Sequence, residues 1–501
     1  MSKSIIIIGA GIAGLSAGCY GQMNGYRTQI FELHDKPGGL CTSWKRKGYT
    51  FDGCIHWLVG TGAGTSFNRI WQELGALQGK QIVDHEEFTR VEGTNGKAFI
   101  VYTDIDRLEQ HMKELAPADA KVIKEFCKAA RLFTRFGQAT DDSTEPSGLL
   151  DKIKMGINML PFMPSLIKYG KLPVQDFAAR FSDPFLQRAF KAVFDMPDFP
   201  VLFIMMTLAW MHIRDAGYPI GGSLEFARAI ERRYRDLGGE VHYKSRVEKI
   251  LVEADRAVGV RLTDGTEHRA DFVISAADGH ATIFDMLKGK YVSDKVRGYY
   301  DELPIFQPII QVSLGVARDL SAEPHSVSFM LSEPVSIAGE ARKRMSFKHY
   351  CYDPTLAPAG KSTVVLMFPS NHAYWKDLSQ EPERYDAEKK DIAVKVIDQL
   401  DKRFPGLAGQ VEAVDVATPL TYERYTGNWQ GSMEGWMPTT ETMSMMMGQG
   451  MDKTLPGLEN FYMVGQWVEP GGGLPPAATS GRGVIQTICK GDSKQFVALV
   501  P

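Results

Sequence analysis

No two cysteines in this 501-residue chain stand at C-x-x-C spacing. Cys19, Cys41, Cys54, Cys127, Cys351 and Cys489 therefore spell neither a zinc knuckle nor a dithiol redox motif. Free thiols in a reducing compartment are the simplest reading. Nowhere do about 20 apolar residues run together, so no transmembrane helix is expected. The apolar run after Lys3 is only Ile5-Ile6-Ile7-Ile8 before glycines begin, which suits a buried strand better than a signal segment. A strong charge of one sign is also missing. Net charge is −3 with no long basic run, so nucleic acid is not an expected partner. H-E-x-x-H, G-x-S-x-G and a Walker-type loop are absent. Metal hydrolysis, serine hydrolysis and ATP chemistry thus lack support, and no metal site is expected.

What is present is an ordinary folded composition, 44% apolar and 23% charged, long enough for about two to four domains. The strongest local signal is at the start. Ile5–Ile8 is a β-branched run fit for a central parallel strand, followed at once by Gly9-Ala10-Gly11-Ile12-Ala13-Gly14 and a helical stretch from Leu15 to Tyr20. Gly9 permits the strand-to-helix turn, Gly11 lets backbone approach a pyrophosphate, and Gly14 lets the helix pack close to the strand. The helix N-terminus offers N–H groups and a positive dipole end to phosphates. A second strand over Arg27 to Leu33 carries Glu32, 21 residues after Gly11, where a carboxylate accepts hydrogen bonds from ribose hydroxyls and repels a 2′-phosphate. No second G-x-G-x-x-G follows a strand, so a separate NAD(P)H domain is not expected.

Two distal blocks look like further parts of the same unit. Residues 214–290 read as a turn, a helix over Leu224 to Leu237, and strands at Glu240–Tyr243, Val247–Val252, Gly259–Leu262 and Asp271–Ser275, with an Asp264-Gly265 hairpin signal. That is a meander inserted into a nucleotide-binding domain. Near the C-terminus an apolar strand at Asn460–Trp467 runs into Pro470-Gly471-Gly472-Gly473-Leu474-Pro475-Pro476 and a small-residue helix through Ile488. Proline suits a first helical turn, and small residues let such a helix approach a ring system.

Together these blocks resemble the amine-oxidase-like flavoproteins, and within them the phytoene desaturase, carotenoid isomerase and retinol saturase group. The resemblance rests on Gly9–Gly14 with Glu32 and Gly38-Gly39, on Tyr49-Thr50-Phe51-Asp52-Gly53, on the stretch from Asp264-Gly265 to Ala276-Ala277-Asp278, and on Gly465 with Pro470–Gly473. It implies an α/β fold: a Rossmann-type FAD-binding domain with an inserted β-meander, plus an α+β substrate domain. It also implies FAD contacts at Gly9, Gly11, Ala13, Gly14, Glu32, Gly39, Leu40, Val247, Gly465, Gly472 and Leu474, with Val247 holding adenine through its backbone. Two departures stand out. Gln466-Trp467 replaces smaller or acidic residues, and His56-Trp57 falls where a desaturase often has Gly-Pro, which points to the saturase and isomerase side.

The discontinuous FAD-binding domain is expected at 1–95, 214–290 and 455–501, and a substrate and membrane-facing domain at 96–213 and 291–454. Residues 152–175 contain no acid and mix Lys152, Lys154, Lys168 and Lys171 with apolar residues, a pattern suited to anionic headgroups; a loop plus a buried helix is the competing reading. Val201 to Met211 is too short to span a bilayer and reads as a buried helix. Met433, Met437, Met443, Met445, Met446, Met447 and Met451 supply adaptable thioethers for a long apolar ligand or simply fill a core.

The expected reaction is hydride exchange between flavin and a C–C bond of an apolar polyene or isoprenoid lipid: desaturation, saturation or redox-neutral isomerisation. His56 and Glu469 are the candidate proton-transfer residues, and Cys54 is a candidate reactive thiol or a small buried apolar residue. Expected partners are the apolar substrate, a membrane surface and an electron carrier such as a quinone, in a cytoplasmic protein seated peripherally on the inner face of the membrane. A flavin amine oxidase and a non-catalytic flavin-bearing docking protein are the alternatives.

Overall fold

The computed structural model describes residues 2–94, 96–139, 156–443 and 451–501. A five-stranded sheet holds the two chain ends and the middle together. Its order is Glu240–His242, Arg27–Phe31, Ser4–Ile8, Phe272–Ser275 and Phe461–Met463, every neighbour parallel. Ile5 to Ile8 are at most 4% exposed, because a central strand is covered on both faces.

The opening helix, Ile12–Met23, follows the glycine turn and packs against the closing helix, Leu474–Gly491. The approach is so close that a Cβ on Gly481 would strike the backbone of Ala13 and Ala17. Ser16 Oγ donates to Ala478 O (2.7 Å) and Gly465 N donates to Ser480 Oγ (3.0 Å), tying the two glycine turns to each other's helices.

The inserted meander has strands Val247–Glu253, Arg256–Leu262 and Glu267–Arg269, all antiparallel. Its second turn is the expected Asp264-Gly265. The first falls at Ala254-Asp255, where the sequence offers no Asn-Gly or Asp-Gly signal. Both residues are left-handed (φ 46° and 58°), as a two-residue hairpin turn requires. Asp255 is held there by Lys290 Nζ (3.1 Å) and Tyr291 Oη (2.8 Å), contacts from another segment.

A seven-stranded mixed sheet forms the other half, in the order Val411–Ala417, Ile309–Val316, Ser362–Pro369, Glu340–His349, Ser326–Ile337, Glu87–Glu92, Ala98–Tyr102. The last two strands flank residue 95, where the sequence reading set a boundary. Strand Ile309–Val316 shows how the halves meet. Ile310, Val312, Leu314 and Val316 enter the core beneath helix Pro382–Arg403, while Gln311, Ser313 and Gly315 alternate to the opposite face. There Gln311 Nε2 donates to Asp52 O (2.9 Å), and Gly315 leaves room for the Tyr49 ring. A helical cluster including Ala120–Phe133, Pro184–Lys191 and the buried Val201–His212 completes this half. Among the described residues no helix is long and apolar enough to cross a membrane.

Candidate functional site

A cleft opens where the glycine turn, the closing helix and the loop after Asp52 converge. Gly9, Gly11, Ala13, Glu32, Gly39 and Leu40 line one end, and Val247, Gly465, Gln466, Trp467 and Leu474 line the rest. Gly14 and Gly472 act on its walls. A Cβ on Gly14 would collide with Gly9 O, so this glycine sets the helix-to-strand approach. A Cβ on Gly472 would collide with Glu434 Oε2.

The cleft fits a dinucleotide. Gly9 (φ 96°) makes the turn, and a Cβ on Gly11 would point into open space with no atom within 4 Å. Glu32 accepts Ala10 N–H on Oε2 (2.6 Å) and His34 N–H on Oε1 (2.8 Å). Each oxygen keeps lone-pair capacity for a ribose hydroxyl. Burial raises the Glu32 pKa above its ordinary value, opposed by those backbone donors. Trp467 lines the same cleft, and its buried indole N–H has no partner among the described residues.

The Tyr49–Gly53 motif turns out to be a junction between the halves. Asp52 Oδ2 accepts Ser223 N–H (2.6 Å), and Oδ1 accepts the Ser223 hydroxyl (2.5 Å) and Cys54 N–H (3.0 Å). Ser223 Oγ in turn accepts Ile55 N–H (2.8 Å). Burial raises the Asp52 carboxyl to about 6. This network carries Cys54 to the cleft wall and passes His56 beyond it, into an adjoining cavity with Trp57 and Lys348.

His56 Nδ1 lies 3.0 Å from the Tyr350 hydroxyl, and burial, then nearby Lys348, holds its pKa well below the ordinary histidine range. Glu469 is paired with Lys453 (2.8 Å) and does not line the cleft. The carboxyl that does is Glu434. It is half-buried, has no hydrogen-bond or ion-pair partner among the described residues, and desolvation pushes it up to about 7. Sequence reading missed it because the surroundings at 431–435 carry no periodicity; of its neighbours only Met433 carries a sequence signal. A second buried acid on the wall, Asp278, is raised to about 7 by burial, yet its oxygens accept Ala281 N–H and Trp429 N–H (both 2.8 Å), so it serves to hold the 429 loop. Met433 lines the cleft, Met437 and Met443 pack in the helical core, Met451 lies in the core beneath the meander, and 445–447 fall outside the described residues.

A family model described as flavin containing amine oxidoreductase matches residues 12–488. The chain is 26% identical over 494 residues to a chloroplastic prolycopene isomerase of Arabidopsis thaliana, covering 95% of this chain and 81% of that protein. It is 27% identical over 510 residues to a neurosporene-forming phytoene desaturase of Rhodobacter capsulatus, covering 96% and 93%. Among solved structures, an oxidoreductase from Methanosarcina mazei superposes with TM-score 0.59 at 19% identity over 96% of this chain and 100% of that one. Cyclohexylamine oxidase from Brevibacterium oxydans gives 0.59 at 14% identity over 99% and 100%. These two likenesses speak to the fold.

Proposed function

The chain belongs to the flavin containing amine oxidoreductase family, its cofactor is FAD, and on that basis we propose that it is an oxidoreductase or isomerase acting on C–C double bonds of an apolar polyene or isoprenoid lipid. Gly9, Gly11, Glu32, Val247, Gly465 and Leu474 would hold the cofactor, with Gly14 and Gly472 shaping its walls. Bound flavin supplies hydride exchange at N5.

The observation that carries the reading is the chemical character of the cleft. Its only basic lining residue is Arg246, among the described residues, and no lysine faces it. The flavin-contacting lysine expected of an amine oxidase is thus without a counterpart there. Glu434 is the one lining carboxyl free to move a proton at its Oε atoms. With a pKa near 7 it can give a proton to, or take one from, the carbon opposite the hydride position. Phe306 lies against Gly472 and joins the helical aromatic core, so the substrate side beyond Glu434 is apolar and excludes water. His56 and Glu469 stay as secondary proton-transfer candidates.

The lipid would be drawn from a membrane surface. Ile157, Leu160, Met163 and Ile167 are 60%, 63%, 37% and 52% exposed within eleven residues, beside Lys168 and the exposed Lys171. Lys168 is shared with Glu125 (3.0 Å), and Lys152 and Lys154 lie outside the described residues. A peripheral seat on the inner face and a quinone as electron carrier complete the proposal. Anaerobic flavin bleaching or isomer analysis with a polyene tests it. A flavin that responds only to amines would replace it with the amine oxidase reading.

A further inference from the structure

The cavity that takes His56 is separate from the flavin cleft and carries an unusual charge. Lys348, on strand Glu340–His349, opens onto it with no hydrogen bond or ion pair to any described residue. Its ammonium stands 5.5 Å from the centre of the Trp57 ring, a contact that offsets only part of its desolvation. His85 and His325 stack at 3.8 Å beside it, and the buried His85 Nε2 has no partner among the described residues. Two carboxylates also line the cavity, and neither makes an ion pair with Lys348. Glu87 is bound through both oxygens to Arg90 (2.9 and 3.0 Å), while burial raises the Asp84 carboxyl above its ordinary value, opposed by the charge of Arg214. The cavity is therefore left with one desolvated amine lacking a counter-ion and a His85 nitrogen without a partner among the described residues, an arrangement that costs stability unless an anion arrives.

A row of packed rings lies between this cavity and the flavin cleft. Phe306 touches the Gly472 position; Phe306 to Phe199, Phe199 to Phe194 and Phe194 to Trp57 are 6.4, 6.3 and 6.2 Å between centroids. Trp57 then meets Lys348. An apolar chain lying along that row would reach from the flavin side at Phe306 to the ammonium at its far end.

We infer that the cavity formed by His56, His85, His325 and Lys348 seats the carboxylate of an apolar acid whose chain runs along the Phe306–Trp57 row to the flavin. A carboxylate suits it better than a phosphate, since one ammonium balances one negative charge. Burial lowers Lys348 to about 7 and, with nearby Lys348 and His349, lowers His85 to about 4, so Lys348 is the group that carries positive charge near neutral pH and a bound carboxylate would keep it protonated. The inference rests on the lipid reading above and narrows it to lipids with an acidic end.

The test uses FAD-loaded enzyme, with retinoic acid and retinol as probes of one chain and two end groups, followed by equilibrium dialysis and tryptophan quenching. The acid is expected to bind about tenfold or more tightly than the alcohol. K348M should bring the two within about twofold with flavin absorbance unchanged, and K348R should keep most of the preference. Equal binding of acid and alcohol by the wild-type enzyme overturns the inference while leaving the lipid reading in place, whether or not K348M folds. Failure to bind either probe, together with bleaching by an amine, overturns the lipid reading itself.

Discussion

The two sides of the cleft are built by different means. The cofactor side is set by backbone: positive-φ glycines, one acid receiving two N–H groups, and helices brought together at Gly14 and Gly481. The substrate side is set by side chains delivered from segments far apart in sequence, such as Asp52 with Ser223, Tyr350 with His56, and Lys348 with Trp57. Backbone sites tolerate almost no added volume. Side-chain sites tolerate substitution in shape yet lose a specific charge or proton. The contrast predicts a gradient of effects.

The largest effect belongs to Gly481→Val. Its branched side chain would meet Ala13 and Ala17 backbone, so protein recovered without flavin, or not recovered at all, is expected. Gly409→Ala, with nothing within 4 Å of the new Cβ, is the control and should retain full yellow absorbance. Normal flavin content in G481V would erase the distinction between the two sides.

Next comes Glu434→Gln. Turnover should fall about 10²- to 10⁴-fold with flavin retained, measured by single-turnover bleaching. The sign of its pH dependence follows from a pKa raised to about 7. Below 7 the group is a donor and above it an acceptor, so proton delivery in the saturating direction should fade as pH rises through 7. The same raised pKa means that the carboxyl favours the folded state below about 4.5 and loses that contribution as pH climbs through 7. E434Q apoprotein should therefore gain on wild type at pH 8 by roughly 1–3 kcal/mol and match it at pH 4.5, read by denaturant unfolding at both values. An unchanged profile would take the proton-transfer role away from Glu434.

Ser223→Ala removes two hydrogen bonds to Asp52 and Ile55 and should cost about 1–3 kcal/mol, chiefly by leaving part of a buried carboxylate unsatisfied. Cys54 would lose its position at the cleft wall, so the flavin absorbance maximum should shift as well. A stability loss with an unaltered spectrum would show that the junction serves folding alone.

The smallest effect on the fold is expected from serine at Ile157, Leu160 and Ile167 together, which should stay within about 0.5 kcal/mol per site because these side chains are exposed. Flotation with anionic vesicles should nevertheless drop sharply. Undiminished flotation would move the membrane seat elsewhere.

The parallel sheet, the glycine turn, Glu32 and the closing helix were legible because each is a local pattern: a β-branched run, a fixed glycine spacing, an acid at a strand end, prolines at a helix start. The buried helix Val201–His212 was legible by its uniform apolarity. The Ala254-Asp255 turn was not, because neighbours Lys290 and Tyr291 stabilise its left-handed residues. Glu434 was not, because its pKa comes from a wall of other segments. Glu469 and His56 drew notice through proximity to motifs in sequence, yet the chain turns Glu469 toward Lys453 and sends His56 into the second cavity.

By itself the sequence determined that a nucleotide turn exists and that both chain ends and the middle share one sheet, and it marked apolar stretches in the remaining half that suit either a core or a lipid. Only the tertiary structure decided which acid faces the cleft, which lysine is left without a counter-ion among the described residues, and which rings lie between the two cavities. The reason is physical: backbone conformation and hydrophobic periodicity are properties of neighbouring residues, whereas desolvation and charge pairing depend on every segment that packs around a group.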